Sequence, residues 1–141
     1  MLQKVVKKEF TIEPRILLRC TVMRGNKRVF SHRALNEVTI ARDALARMIA
    51  LRTTVNDLKL TTYVADGLIV ATPSGSTAYS LSAGGPVVSP EIEAIILTPI
   101  SPHSFTQKPI LLPSTSRIKV ELSLRSQERV NLTVDGQIGF H

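Results

Sequence analysis

The sequence predicts a mainly β domain, a sandwich or a barrel, with one short helix. Three observations carry that expectation. Short apolar or alternating runs recur about ten residues apart, separated by turn-forming residues. Prolines 73, 86, 90, 99, 102, 109 and 113 fall between those runs or at the edge of one, where a missing N–H costs no ladder hydrogen bond. A single segment, residues 76–83 (STAYSLSA), joins helix-compatible residues to a sharp stop, Gly84-Gly85-Pro86. Short strands at even spacing suit a sandwich or barrel.

Each element follows from local chemistry. Residues 15–23 (RILLRCTVM) are apolar and partly β-branched, and residues 28–35 return after the turn signal Arg24-Gly25-Asn26-Lys27, which predicts a hairpin. Residues 37–41 (EVTIA) alternate, placing Val38 and Ile40 on one face of a strand. Residues 46–55 and 58–64 predict a second hairpin around Asn56-Asp57. A helical turn at Asp43 is the alternative there, because residues 43–50 (DALARMIA) have helical propensity. Residues 68–71 (LIVA) predict a short buried strand, and residues 93–97 another that ends before Pro99. Residues 108–112, 117–124 and 129–134 complete the strands. No internal repeat or low-complexity segment is present.

A chain of 141 residues is most simply one domain, read as a connecting segment at 1–14 and a domain body at 15–141. Hydrophobic residues make up 43% and charged residues 21%, a balance that argues against disorder. The formal net charge of +7 favours polyanionic partners: nucleic acid, an acidic membrane, or small molecules rich in phosphate. An aromatic content of 4% without Trp is poor material for stacking bases, and the basic residues are spread out except Lys4, Lys7 and Lys8. No apolar run approaches the roughly 18 residues that span a bilayer. Residues 1–10 lack the apolar core of a signal peptide. Cys20 is the one cysteine, so no disulfide or cysteine metal site forms within one chain. The expectation is a cytoplasmic protein with neither nucleic acid nor membrane as partner.

The most informative stretch is residues 72–85, TPSGSTAYSLSAGG. Five serine or threonine hydroxyls from Ser74 to Ser82, three glycines and one tyrosine follow closely on the apolar run LIVA. Ser76 or Thr77 can cap a helix there, and the small residues at 75, 76 and 78 let a ligand approach the backbone. Unpaired N–H groups at a helix start attract phosphate and other polar groups. Tyr79 adds a flat face and a hydroxyl, and Asp66-Gly67 places a carboxylate at the turn into the strand. The arrangement suits a polar ligand bearing ribose and amide groups. The plain alternative is a strand-to-helix connection whose hydroxyls cap and whose glycines terminate; no G-x-x-x-x-G-K-[ST] phosphate loop is present.

The longer stretch DGLIVATPSGSTAYSLSAGGPVV resembles the signature of the NAD kinase family, whose loop usually reads TPTGSTAYSLSAGGP. Only Ser74 departs, and it keeps the hydroxyl. ALNEVTI at 34–40, LTPISPHSF from 97 and KPILLP to 113 agree in order and spacing, so the resemblance runs from about Arg15 to the C-terminus. It implies a β-sandwich of the NAD kinase C-terminal domain type. It further implies transfer of the γ-phosphoryl of ATP, or in some members of polyphosphate, to the adenosine ribose 2′-hydroxyl of NAD, giving NADP. Mg²⁺ or another divalent cation accompanies ATP in that reaction. The family's active site lies between this domain and an N-terminal α/β domain.

By the same resemblance, Asn36 and Glu37 match an NAD-contacting pair, and Asp66 matches an aspartate that in family oligomers can serve a neighbouring subunit's ligand. Thr77, Ala78, Tyr79, Ser80, Leu81 and Ser82 match the segment lining the NAD pocket, with Ser74 beside it. Arg47 and Gln137 match weaker contact positions. Each has a bland reading: a strand-start turn for Asn36-Glu37, a turn cap for Asp66, core for Tyr79, solvated side chains for Arg47 and Gln137. Val64 departs from the family, which often has a basic residue two before the aspartate. His103 reads as a loop anchor, and histidines 32, 103 and 141 show no metal-ligand spacing.

The family's other signature, GGDGT, holds phosphate and supplies the aspartate thought to act as general base; no such segment occurs in these 141 residues. The expectation is therefore a piece truncated at both ends, with no catalytic residue of its own and inactive alone. An exposed apolar interdomain face predicts a homo-oligomer, dimer or tetramer. The alternatives are a non-catalytic dinucleotide-binding or regulatory module, a lipid or diacylglycerol kinase relative, and a basic nucleic-acid binder.

Overall fold

The computed structural model describes residues 6–7, 10–43, 48–122 and 129–140. Among these, eleven strands form three antiparallel sheets. In chain order they are β1 (Leu18–Arg24), β2 (Lys27–Ala34), β3 (Glu37–Arg42), β4 (Ile49–Val55), β5 (Leu58–Ala65), β6 (Gly67–Ala71), β7 (Ala94–Ile100), β8 (Ile110–Pro113), β9 (Ile118–Leu122), β10 (Val130–Val134) and β11 (Ile138–Phe140). A 3-10 turn (Ser74–Thr77) and one turn of α-helix, α1 (Tyr79–Ser82), separate β6 from β7.

Both predicted hairpins form. β1 and β2 turn at Gly25-Asn26, where Gly25 supplies a positive φ of 57°. β4 and β5 turn at Asn56-Asp57, with φ of 49° and 65°, the two positive values a type I′ turn needs. Asn56 also accepts the Arg117 N–H through Oδ1 at 2.8 Å, which ties this turn to the start of β9. β4 begins at Ile49; the expected start at residue 46, and residues 44–47 of the helical alternative at Asp43, lie outside the described residues. The last two residues of the strand expected at 117–124 also lie outside them.

The six-stranded sheet, in the order β11-β10-β3-β6-β7-β8, is the frame of the molecule. Alternation along β3 and β6 assigns its two faces. Val38 opposes Val70, and Ile40 opposes Leu68, on one face; Glu37 opposes Ala71, and Thr39 opposes Ile69, on the other. The first face is covered by two layers side by side. Leu18 and Ala34 of the first hairpin pack on Val38, Ile95 and Val134. Ile49, Leu51 and Tyr63 of the three-stranded sheet β5-β4-β9 pack on Leu68. Residues 83 and 88, from the segment after β6, pack on Ile69, Ala71 and Ile96 of the second face. Each fully buried Leu or Ile contributes roughly 1.5–3 kcal/mol relative to exposure, so the sheet is held from both sides.

Three expectations need correction. Pro113 is the last residue of β8, opposite Ala94, and Pro99 lies inside β7, opposite Leu68, not beyond its end. Pro99 is tolerated because β8 reaches only as far as Leu97, so β7 has a neighbour on one side there. The single helix at 76–83 is two separate turns, broken at Ala78 by a non-helical backbone (φ −95°, ψ −134°). Neither turn has a side-chain cap; Pro73 and Ala78 occupy the cap positions. β11 appears in no sequence expectation, although Asp135-Gly136 is the dipeptide that favours a tight hairpin. Both residues adopt positive φ, 49° and 65°.

Candidate functional site

The corner between β2 and β3 is held by groups distant in sequence. The Asp135 carboxylate accepts the N–H of Leu35 (2.8 Å), Asn36 (2.7 Å) and Glu37 (3.0 Å). Three backbone donors converging on one carboxylate make an anion nest filled by the protein itself. In return the Asp135 N–H donates to Glu37 O at 2.9 Å. The hairpin turn of β10 and β11 thus presents Asp135 at one end of the central sheet, with the exposed Gln137 two residues on.

Thr72 joins that corner to the loop. Its hydroxyl donates to Leu35 O at 2.6 Å and accepts the Gly75 N–H at 3.1 Å, while its own N–H donates to Asn36 O at 2.8 Å. Gly75 is pressed so close that a Cβ there would overlap the carbonyl of Asn36. Only glycine fits this contact. Ser76 is fully buried, its Oγ accepting from Val88 N at 3.1 Å and donating to Val88 O at 3.2 Å. Ser80 is equally buried and shares a hydroxyl–hydroxyl hydrogen bond of 2.9 Å with Thr98. The serines of the loop therefore divide: Ser76 and Ser80 fasten it down, whereas Thr77, Tyr79, Leu81 and Ser82 face outward and Ser74 and Ala78 are half-buried.

Glu37 is the unusual member of this cluster. It is 6% exposed, and its Oε2 is a buried atom with no hydrogen-bond partner among the described residues. Burial pushes its carboxyl above the ordinary range, and the nearby charge of Asp135 adds to the rise. An orphaned buried acceptor costs free energy and calls for an explanation, such as a ligand that completes it. Glu37 shares its sheet face with Ala71, directly below the loop.

The predicted residues fall into two groups. Asn36, Glu37, Ser74 and residues 77–82 are drawn to one end of the central sheet, with Gln137 on the adjoining turn. Asp66 is not there. It precedes Gly67, at the opposite end of β6 from Ala71, about 17 Å away at roughly 3.3 Å per residue of strand. Its carboxylate accepts Arg42 Nε at 2.6 Å, an ion pair that the turn-cap reading did not foresee. Val64 and His103 lie by this far end, where the His103 backbone N–H donates to Val64 O at 2.9 Å. Arg47 lies outside the described residues. Sequence reasoning missed Asp135 and Thr72; the Asp-Gly turn was a signal for the first, and the second stood unremarked at the head of the loop motif.

The site is a strand-corner carboxylate beneath a small-residue loop, in a β domain built of three antiparallel sheets. Residues 35–141 match the ATP-NAD kinase C-terminal domain, and the chain belongs to that family. It is 47% identical over 140 residues to an NAD kinase of Geobacter sulfurreducens, covering 99% of this chain and 49% of that protein. It is 45% identical over 139 residues to an NAD kinase of Caldanaerobacter subterraneus subsp. tengcongensis, with coverage of 99% and 49%. Among solved structures, yeast NADH kinase complexed with NADH superposes with a TM-score of 0.89 at 35% identity, over 99% of this chain and 40% of that one. An Archaeoglobus fulgidus NAD kinase in complex with ATP gives 0.76 at 31% identity, over 99% and 51%. The chain spans about half the length of the curated relatives it matches.

Proposed function

We propose that this chain is the part of an NAD kinase that holds the dinucleotide, presenting NAD for phosphorylation at the adenosine ribose 2′-hydroxyl with ATP as donor. The observation that carries the reading is the unpartnered, buried Oε2 of Glu37 beside the loop, an acceptor placed to take a ligand hydroxyl or amide N–H. Asn36 offers an amide beside it, and the outward Thr77, Tyr79, Leu81 and Ser82 offer two aliphatic hydroxyls, a phenol and an apolar contact. Gln137, Ser74 and Ala78 border the same end. Ser80 acts from beneath, since its hydroxyl is bonded to Thr98. NADH in the yeast relative and ATP in the archaeal relative support this choice of ligand class.

Asp66 fits a different role. Its distance from Glu37 supports service to the ligand of a second copy, in a homo-oligomer, with Arg42 orienting its carboxylate. Catalytic groups are absent from the proposal, because the sequence contains no GGDGT segment. A divalent cation would travel with the ATP phosphates; the described residues contain no group of three or more His, Cys, Asp or Glu able to cage it. No helix among the described residues is long and apolar enough to cross a membrane, and a cytoplasmic setting remains part of the proposal.

Calorimetric titration of the purified chain with NAD tests the reading. Saturable binding that Glu37→Ala abolishes is expected, with no NADP formed when ATP and Mg²⁺ are added. No binding by a folded chain, or robust NADP formation, overturns the corresponding half.

A further inference from the structure

The first hairpin carries a charge arrangement that the dinucleotide reading does not use. β1 and β2 hold Arg19, Arg24, Lys27, Arg28 and Arg33, and no acidic residue occurs between Glu13 and Glu37. In the β1–β2 register Arg19 stands directly opposite Arg33. Like charges directly opposed across strands are destabilising. Nothing in the fold relieves them: neither guanidinium has an ion-pair or hydrogen-bond partner among the described residues. Both are exposed and line an open depression of about 450 Å³ together with Leu17 and Leu18. The next rung with the same orientation is Thr21 opposite Ser31, both exposed, which adds two hydroxyls along that surface.

We infer that the Arg19–Arg33 pair is a binding site for the phosphoryl group of a small soluble phosphate compound. Two guanidinium forks present more donors than one carboxylate can use and match a tetrahedral, multiply charged oxyanion. The apolar floor of Leu17 beside them suits an organic substituent next to the phosphate. This site is separate from the one built on Glu37. The hairpin covers the face of the central sheet that carries Val38, whereas Glu37 and the loop belong to the opposite face. The arginines moreover point away from the core on the side of the hairpin opposite Leu18 and Ala34, which are buried.

Inorganic pyrophosphate is the probe, titrated calorimetrically into the 141-residue chain at fixed ionic strength set with sodium chloride. Saturable binding is expected, weakened at least tenfold in Arg19→Gln/Arg33→Gln. A control of equal charge change, Lys27→Gln/Arg28→Gln at the other end of the hairpin, should alter affinity less than threefold. The arginine double variant should melt no lower than the parent, since it removes a repulsive pair; Arg33→Lys, which keeps charge but loses the fork, should fall between. Equal weakening by the control, or no saturable binding, overturns the inference. So does binding to phosphatidate-containing vesicles without any response to soluble pyrophosphate, which would assign the surface to a membrane. NAD titrated into the same double variant should bind as in the parent, so failure here leaves the Glu37 site untouched.

Discussion

Asp135 accepts the Asn36 N–H at 2.7 Å, and these residues are 99 apart in sequence. The bond is one of three that fix the corner from which the candidate site is built. Asp135→Ala leaves three backbone donors without their acceptor and should destabilise the chain by about 3 kcal/mol, on the basis of roughly 1–3 kcal/mol for a buried unmet group. Asp135→Asn, which retains one carbonyl oxygen and tolerates the positive φ, should cost about half as much. Urea denaturation checks both; equal, small effects would show that water replaces the carboxylate.

Thr72 is the second fastening. Thr72→Val removes a donor to Leu35 O and an acceptor for Gly75 N–H at nearly constant shape. The expected loss is about 2 kcal/mol, whereas Thr72→Ser should lose under about 1 kcal/mol because the hydroxyl stays. If valine and serine prove equivalent in thermal unfolding, the hydroxyl is not what holds the loop.

Gly75→Ala places a methyl group into the backbone of Asn36. Overpacking of this kind costs about 1–3 kcal/mol. Because the loop must lift to accommodate it, NAD affinity should fall further than stability does. Calorimetric titration beside a melting curve separates the two; unchanged affinity in a folded variant would contradict the close approach.

Glu37 gives a pH dependence with a definite sign. Its carboxyl is raised above 4.5 in the folded chain, first by burial and then by Asp135. The folded state therefore binds the proton more tightly than the unfolded state, and this group's contribution to stability declines as pH climbs through and above 4.5. Glu37→Gln removes that decline. The variant should be more stable than the parent at pH 7, by about 1 kcal/mol, because the amide stays neutral where the buried carboxylate is charged. The gap should close as pH falls toward 4.5. A gap that is constant with pH would place the cause elsewhere.

Much of the fold was legible because periodicity and turn chemistry agreed. Gly25-Asn26 and Asn56-Asp57 marked hairpins whose turns take the expected positive φ. Local reasoning failed where tertiary contacts decide. Helical propensity over residues 76–83 was broken at Ala78 by the loop's attachment to Thr98 and Val88. Pro99 was read as a terminator, yet a strand missing one neighbour accommodates it. Within the site, the motif identified the loop and the Asn36-Glu37 corner. It was silent on which hydroxyls turn inward, since Ser74 and Ser80 look alike in sequence. Asp66 could not be located relative to Glu37, because the direction of β6 between them is a property of the sheet.

The clamp on the β2–β3 corner also bears on assembly of the chain. Its acceptor arrives about a hundred residues after its donors, and contacts so far apart in sequence slow the search for the native state. The corner should remain unfastened while β4 to β9 organise, and the ligand-facing end of the molecule should be among the last parts to become rigid. Pulsed hydrogen exchange during refolding would then show the amide protons of Asn36 and Glu37 acquiring protection after those of β4 and β5.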